Sequence, residues 1–149
     1  MPNQPVMPKR VLIVDDEATL LFFLQQSLQE TLAGCQVEIA ASGDQAVQLL
    51  HFQPFDLLIT DLKMAGVDGF TVAKAARALY PAILVILMTA HGSRDIKEEA
   101  NNLRVDAYLA KPFPTAQLQV LVQRLFSAND YKPDLVGNPA PSLETHNQA

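Results

Sequence analysis

Acidic residues directly follow an apolar run near the start of the chain. The stretch VLIVDDEATLL, residues 11–21, passes from apolar side chains straight to Asp15, Asp16 and Glu17. Carboxylates held close together repel one another, and at least one resists ionisation unless a cation relieves the repulsion. This stretch is therefore either a solvated acidic turn or part of a metal site.

Three further residues with reactive side chains lie at the ends of other apolar runs. Asp61 follows DLLIT, Thr89 closes ILVILMT, and Lys111 follows VDAYLA. Carboxylate oxygens are preferred ligands of Mg²⁺, and a carboxylate can attack a phosphoryl group to give an acyl phosphate. A lysine and a divalent cation would neutralise the phosphoryl oxygens during such a transfer. Brought together, these side chains could perform Mg²⁺-dependent phosphoryl transfer.

Alternating strands and helices are expected to position these residues. Apolar, β-branched runs predict strands over residues 10–14, 36–40, 56–60, 83–89 and 105–110. Helical periodicity predicts helices over residues 17–32, 43–52, 68–79, 93–103 and 114–127. Such alternation is typical of βαβ units, and strands that are apolar on both faces need helices on both sides. We therefore predict an α/β fold, a doubly wound five-stranded parallel sheet with five helices, whose ligands bind at the carboxyl ends of the strands.

Residues that favour helix starts support these boundaries. Ser42 precedes the second predicted helix with Gln45 three residues later, as in a capping box. Asp68 and Ser93 are suitable N-caps for the third and fourth helices. Pro114 suits the first turn of the last helix.

Composition excludes several classes of protein. The net charge of −5 and the scattered 11 lysines and arginines argue against nucleic acid as a partner. Cys35 is the single cysteine, so no internal disulfide is possible and a reducing compartment is expected. The chain begins without a secretory signal, and its apolar runs are far shorter than the ~20 residues of a membrane span. We expect a cytoplasmic protein with no membrane partner.

The two ends of the chain differ from the middle. Residues 1–8 contain three prolines and no periodicity, and residues 128–149 are rich in proline and poor in apolar side chains. This composition predicts a disordered N-terminus and a flexible C-terminal tail or linker. The predicted domain covers residues 9–127.

The order and spacing of the motifs resemble the receiver domain of two-component response regulators, in particular chemotaxis-regulator-like members, over about residues 9–127. The matching segments are LIVDDE, LLITDLKMAGVDGF, ILMTA and AYLAKPF. Each is weak alone, but together in this order they are highly specific. The resemblance implies a flavodoxin-like sheet with strand order 2-1-3-4-5.

The resemblance also implies the roles of the acidic residues. Asp61 would be the phospho-acceptor, taking a phosphoryl group from a phosphohistidine on a histidine kinase or a histidine phosphotransfer protein. Asp16, Asp61 and the backbone carbonyl of Lys63 would bind Mg²⁺ directly, and Asp15 would bind it through water. The domain would catalyse only its own phosphorylation and dephosphorylation, without an external substrate.

Other residues would transmit the phosphorylation signal. Thr89 and Lys111 would contact the phosphoryl group, Tyr108 would be the aromatic switch, and the peptide bond before Pro112 would be cis. The signal should emerge on the face formed by the predicted fourth helix, fifth strand and fifth helix. A downstream effector, an output domain or a second copy of the chain would bind there, beside Ala116 and Val120 on the outer side of the last helix.

Two positions are predicted to tune hydrolysis of the phosphoryl group. Lys63 and His91 lie two residues beyond the acceptor and the switch hydroxyl, where the family pattern flanks the attacking water. Ala65 is a departure, because the family commonly has proline after the residue that matches Met64. The change removes no chemical group but could loosen the turn that follows Asp61.

The first predicted helix carries an apolar surplus. At about 100° per residue, one face collects four residues and is predicted to lie in the core: Leu20, Phe23, Leu24 and Leu28. Phe22 falls opposite this face and Leu21 at its margin. We predict that Leu21 and Phe22 form a docking patch for a kinase.

Three alternative functions use the same residues. VLIVDDEATL is similar to the nucleophile motif of haloacid-dehalogenase-like phosphatases, in which Asp15 would be the nucleophile and Thr89 would bind phosphate. That motif's second aspartate is replaced by Glu17, and Asp61 would have no role. A receiver-like module that is never phosphorylated is disfavoured by the complete set of site residues. A flavodoxin-like electron carrier is disfavoured because an acidic first loop would repel a flavin phosphate.

Overall fold

Five strands and four helices of ten or more residues make up the described chain. The computed structural model describes residues 8–90, 101 and 103–130. The strands are β1 Arg10–Val14, β2 Gln36–Ala40, β3 Leu57–Asp61, β4 Leu84–Thr89 and β5 Ala107–Ala110. The helices are α1 Ala18–Thr31, α2 Gly43–Phe52, α3 Gly69–Leu79 and α4 Thr115–Asp130. Within these residues no helix has the length and apolar character needed to cross a membrane.

All five strands join one parallel sheet in the order β2-β1-β3-β4-β5. This order confirms the predicted doubly wound fold. Strands β3 and β4 are buried along their whole length, as expected for strands with helices on both faces. Because all strands run in the same direction, their carboxyl ends share one edge of the sheet.

Successive side chains of each strand enter two separate apolar clusters. Leu12 and Leu58 pack with α2 and α3 on one face of the sheet, whereas Ile13 and Ile59 pack with α1 and α4 on the other. This is the period-2 alternation of a strand. Full burial of each such side chain contributes about 1.5–3 kcal/mol of hydrophobic stabilisation. The two clusters hold the strands rigidly beneath the polar edge.

Two predicted N-caps are confirmed. Ser42 Oγ accepts a hydrogen bond from Gln45 N at 3.1 Å, and Gln45 Oε1 accepts one from Ala41 N at 2.8 Å. Asp68 Oδ1 accepts one from Thr71 N at 2.9 Å. These bonds satisfy donors that the first turn of a helix leaves unpaired. The starts of α2 and α3 are thus fixed by their own side chains.

The last helix is longer than predicted. It continues to Asp130, so the boundary at residue 127 was wrong and the first three residues assigned to the tail are helical. The reason is local, since no glycine or proline follows until Pro133 and Ala128 favours helix. The helix predicted over 93–103, with Ser93 as its cap, lies largely outside the described residues, as do residues 1–7 and 131–149 of the predicted ends.

The orientation of α1 corrects the prediction for its aromatic residues. Leu21, Leu24 and Leu28 form the buried face, while Phe22 and Phe23 are 53% and 56% exposed. The spacing of the three buried leucines centres the core face between positions 21 and 24. At about 100° per residue, Phe22 and Phe23 then fall on either side of the opposite face.

Two predictions for α1 were therefore wrong. Leu21 is only 2% exposed and cannot form a docking patch. Phe23 does not lie in the core. Its ring instead meets that of Phe22 edge-on, with ring centroids 5.7 Å apart, so the exposed apolar surface of α1 is a pair of aromatic rings.

Candidate functional site

The carboxyl ends of four strands bring the candidate residues together. Asp15 follows β1, Asp61 ends β3, Thr89 ends β4 and Lys111 follows β5. Three of these side chains reach one another directly, because Lys111 Nζ lies 2.7 Å from Asp15 Oδ2 and 3.4 Å from Asp61 Oδ1. The parallel topology thus gathers residues that are up to 96 positions apart in the chain.

Three aspartates form an acidic cluster. Asp15, Asp16 and Asp61 each place a carboxylate oxygen within 4.8 Å of the others. Asp15 is fully buried and Asp61 is 7% exposed, whereas Asp16 is exposed. Asp15 Oδ1 accepts a hydrogen bond from Glu17 N at 2.9 Å. The Asp15 carboxylate thus contacts both Glu17 N and Lys111, whereas Asp16 is accessible to solvent.

Burial and the neighbouring charges together raise the pKa of Asp61. Burial is the largest cause that raises its pKa, and the nearby charge of Asp15 raises it further. Lys111 and a hydrogen bond from Leu62 N, 3.0 Å from Asp61 Oδ1, oppose part of this rise. The carboxylate of Asp61 is consequently held in an electrostatically unfavourable environment.

Lys111 is the lysine that contacts the acidic cluster. Burial alone would lower its pKa, but the hydrogen bond and charge of Asp15, together with Asp61, outweigh burial and raise the pKa of Lys111. Lys111 N donates to Thr89 O at 2.8 Å, and the Lys111–Pro112 peptide bond is cis. The hydrogen bond to Thr89 O holds the backbone of Lys111 beside the end of β4.

A cleft of about 200 Å³ opens beside the acidic cluster. Its lining residues are Asp61, Lys63, Thr89, Ala90 and Lys111. A water molecule occupies about 30 Å³ of liquid, so this cleft has room for a group of several heavy atoms. Asp61 therefore lines a space in which a small anion would lie beside Thr89, which carries a hydroxyl, and Lys111, which carries an ammonium group.

The donor set fits a hard divalent cation. The acidic cluster offers only carboxylate oxygens, and Mg²⁺ prefers oxygen ligands together with retained waters. Lys111 contacts two of the three carboxylates, so the cluster keeps an excess of negative charge. A bound cation would relieve that excess.

The residues predicted to act as a switch and as tuning positions lie at different places. Tyr108 on β5 is half-buried, pairs in register with Leu87, and has a pKa raised by burial. It lines a groove of about 500 Å³ between β5 and α4, which also includes Ala116 and Val120. Lys63 is exposed at the cleft. His91 lies outside the described residues.

Sequence reasoning missed two features of this edge. The Lys111–Asp15 ion pair was not foreseen, although both residues were expected at the same edge. The exposure of Phe23 was also missed, and the spacing of Leu21, Leu24 and Leu28 was the signal that would have revealed it. Both errors concern side-chain direction rather than the position of an element.

Comparison with known families agrees with this geometry. An α/β sheet of this order with an acidic pocket at its carboxyl edge defines a flavodoxin-like, CheY-like fold. The family described as "Response regulator receiver domain" matches residues 11–123. The chain therefore belongs to the receiver-domain family of two-component response regulators, which are signalling domains, and not to the haloacid-dehalogenase-like phosphatases.

Individual relatives cover different shares of their own length. Sporulation initiation phosphotransferase F of Bacillus subtilis (strain 168) is 31% identical over 119 residues, which are 80% of this chain and 94% of that protein. Transcriptional regulatory protein ZraR of Escherichia coli (strain K12) is 37% identical over 114 residues, but the chain spans only 25% of its length.

A solved structure confirms the fold. The CheY-like response regulator receiver domain protein from Methanospirillum hungatei JF-1 superposes with a TM-score of 0.76 at 28% identity. The match covers 81% of this chain and 95% of that one.

Proposed function

We propose that this receiver domain accepts a phosphoryl group on Asp61 from a phosphohistidine of a histidine kinase or histidine phosphotransfer protein. One observation carries the proposal: Asp61, a member of the acidic cluster, lines the same cleft as Thr89 and Lys111. This arrangement places a nucleophilic carboxylate, a cation site and the positive charge of Lys111 around the space that the phosphoryl group would occupy. Family membership supports the same assignment.

In the transfer, an oxygen of the ionised Asp61 carboxylate attacks phosphorus. The bond between phosphorus and the imidazole nitrogen breaks, and the imidazole leaves with the bonding electrons and takes up a proton. The product is an acyl phosphate on Asp61. Lys111 remains charged, because its pKa is raised, and it neutralises a phosphoryl oxygen.

Magnesium is the proposed cofactor of this step. Asp15, Asp16, Asp61 and the backbone carbonyl of Lys63 would hold it, with Asp15 acting through water. When bound, it supplies positive charge that lowers the repulsion between the acceptor carboxylate and the incoming phosphoryl group. Without that charge, burial and the neighbouring Asp15 raise the pKa of Asp61 and make its ionised, nucleophilic form less favourable.

Dephosphorylation would proceed at the same site. Water attacks phosphorus, the acyl–oxygen link to phosphorus breaks, and inorganic phosphate leaves with regeneration of the Asp61 carboxylate. Lys63, which lines the cleft, and His91 are proposed to set the rate by flanking the water. The domain thus acts on itself and has no external substrate to turn over.

Phosphorylation is proposed to switch the face formed by β5 and α4 together with the helix predicted over residues 93–103, which lies largely outside the described residues. The Thr89 side chain would move to form a hydrogen bond with the phosphoryl group. Tyr108 would then turn inward into the space that the Thr89 side chain leaves. To shift a population from 1% to 99% active, phosphorylation must favour the active state by roughly 5.5 kcal/mol. Val120, 50% exposed, and Ala116 would then meet an effector protein, an output domain or a second copy.

The kinase is proposed to dock on the aromatic pair of α1. Phe22 and Phe23 line a groove of about 510 Å³ with residues from α4, among them Thr115 and Gln119. An apolar helix of a partner would bury both rings there. Phe22 keeps the role predicted from the sequence, and Phe23 replaces Leu21.

Intact-mass measurement with acetyl phosphate tests the proposal. Wild type, Asp61→Asn and Asp15→Asn are each incubated with and without Mg²⁺. We expect one Mg²⁺-dependent phosphoryl adduct in the wild type and none in Asp61→Asn. An adduct that survives Asp61→Asn but disappears in Asp15→Asn would make Asp15 the nucleophile, and no adduct in any sample, even with a phosphorylated kinase as donor, would indicate an unphosphorylated interaction module.

A further inference from the structure

The loop between β3 and α3, residues 62–68, directly follows the proposed acceptor. It contains Lys63, whose carbonyl is a proposed Mg²⁺ ligand. Its first residue is held by the sheet, because Leu62 N donates to Met88 O at 3.0 Å. Gly69 N, at the start of α3, donates to Leu62 O at 2.9 Å, so this bond joins the two ends of the loop. The position of the intervening residues depends on what they touch.

Gly43, the first residue of α2, lies in close contact with Val67 of this loop. A Cβ atom on Gly43 would overlap the carbonyl oxygen of Val67 and would lie 2.7 Å from Val67 Cβ. Real Cβ atoms essentially never come that close to another heavy atom. The φ angle of Gly43 is not positive, unlike those of Gly34 and Gly66. Glycine is needed at position 43 for space rather than for its backbone conformation.

The start of α2 is a firm support for the loop. Ser42 Oγ and the Gln45 side chain cap its first turn. The strand that leads into it is tied to the acidic cluster, because Asp15 N donates to Ala40 O at 3.2 Å. Val67 itself packs against the apolar cluster of α2 and α3. A group inserted between Gly43 and Val67 would therefore move the loop more readily than the helix.

The opposite end of the loop has a matching close approach. A Cβ on Gly69 would overlap the carbonyl oxygen of Asp61 and would lie 2.9 Å from Leu62 Cα. The loop is therefore clamped between the starts of two helices. Ala65, in the middle of the loop, contributes no ring constraint of the kind that proline would impose.

We infer that Gly43 is a positioning residue for the metal and phosphoryl site. Because Gly43 has no side chain, the start of α2 can approach the β3–α3 loop closely. This contact sets the position of the loop, and thereby the position of the Lys63 carbonyl relative to Asp61. The inference rests on the proposed function, because it assigns Gly43 an effect on Mg²⁺ binding. Gly43 touches neither the metal nor the phosphoryl group and acts only through Val67.

Titration with Mg²⁺ alone tests this role in the unphosphorylated protein. Backbone amide shifts of residues 62–68 are followed by NMR in wild type and Gly43→Ala. We expect Gly43→Ala to bind Mg²⁺ about tenfold more weakly, the range found when residues that support metal ligands are changed. With acetyl phosphate, the half-saturating Mg²⁺ concentration should rise by a similar factor, while the rate at saturating Mg²⁺ changes much less.

Leu49→Ala is the matched control, since Leu49 is a half-buried residue of the same helix that packs in the same cluster. It should destabilise the fold and leave Mg²⁺ affinity unchanged. Val67→Ala trims the other partner of the contact and should also weaken Mg²⁺ binding. Because both changes act on one contact, their effects on affinity should not add in the double variant.

The outcomes distinguish a failure of the role of Gly43 from a failure of the proposed function. A folded Gly43→Ala protein with wild-type Mg²⁺ affinity would overturn the role of Gly43 and leave the proposed function intact. If Gly43→Ala does not fold, wild-type affinity in Val67→Ala would have the same consequence. A wild type that neither binds Mg²⁺ nor takes up a phosphoryl group would overturn the proposed function and this inference with it.

Discussion

Asp61 occupies a place where an ionised carboxylate is unfavourable. Burial and the charge of Asp15 raise its pKa, so the folded state binds a proton at Asp61 more tightly than the unfolded state does. The group therefore contributes stability below its unfolded pKa, and this contribution is lost as the pH rises through the raised, folded pKa. The arrangement is consistent with the proposed role of Asp61, since a bound cation would stabilise its ionised form.

Asp61→Asn should raise the free energy of unfolding at neutral pH without Mg²⁺, by about 1 kcal/mol, a typical size for a point change. Asparagine keeps an acceptor for Leu62 N but carries no charge to repel Asp15. Urea denaturation of the wild type and Asp61→Asn measures the difference in the free energy of unfolding. The series runs from about pH 4, near the ordinary carboxyl pKa, to about pH 8. The gain should grow as the pH rises, and a gain that is independent of pH would contradict the electrostatic explanation.

Lys111 stabilises the acidic cluster, whereas the charge of Asp61 destabilises it. Lys111→Met keeps most of the side-chain length but leaves the buried Asp15 without its ammonium partner at 2.7 Å. We expect a loss of about 2 kcal/mol in the free energy of unfolding, within the range for hydrogen bonds to charged groups. Denaturation in Mg²⁺-free buffer measures this loss.

Asp15→Asn, added to Lys111→Met, provides the control for this ion pair. Since the unpaired carboxylate causes the loss, its removal should restore a substantial part of the stability. Equal losses in the single and double variants would show that Lys111 stabilises the fold through its aliphatic packing instead.

At the scale of the element, the rotation of α1 separates the residues that pack in the core from those that are exposed to solvent. Leu21 faces the core at 2% exposure, and Phe23 faces solvent at 56%. One helix therefore uses one face to hold the sheet and presents two aromatic rings on the other. Neighbouring residues of the same apolar character have different roles because successive residues are separated by about 100°.

Leu21→Ala should lower the free energy of unfolding by about 2–5 kcal/mol, because it opens a cavity in the core. Phe23→Ala should change it by no more than about 0.5 kcal/mol, as for other surface changes. Urea denaturation of the two variants measures both values. Comparable losses would mean that Phe23 belongs to the core, as the sequence pattern first suggested.

At the scale of the whole molecule, the site and the stability of the fold are linked. Two apolar clusters press helices against both faces of the sheet, and this rigid frame brings three carboxylates into the acidic cluster. A ligand that binds only the folded state stabilises it by mass action. Cation binding at the pocket should therefore be visible as global stabilisation.

Mg²⁺ should raise the melting temperature of the wild type, with a stabilisation of about 2.7 kcal/mol when its concentration is 100 times the dissociation constant. Thermal denaturation monitored by circular dichroism over a Mg²⁺ series at constant ionic strength measures this. Asp61→Asn and Asp15→Asn should each respond much less. An equal response in all three proteins would place the bound cation elsewhere.

Short-range sequence patterns by themselves determined most of the fold. The bounds of β1, β2 and α2 follow directly from apolar runs and from the cap at Ser42. The residues at the strand ends could also be foreseen, because parallel strands send their carboxyl ends to one edge. These features depend on residues that are close in the sequence, so sequence patterns can predict them.

Only the tertiary structure decided the features that depend on distant neighbours. The pairing of Lys111 with Asp15 joins residues 96 positions apart, and the contact of Gly43 with Val67 depends on how two helix starts approach one loop. The rotation of α1 was also set by its packing on the sheet, since apolar residues occur on more than one of its faces. Side-chain direction and close backbone contact arise when elements pack, so no local pattern specifies them.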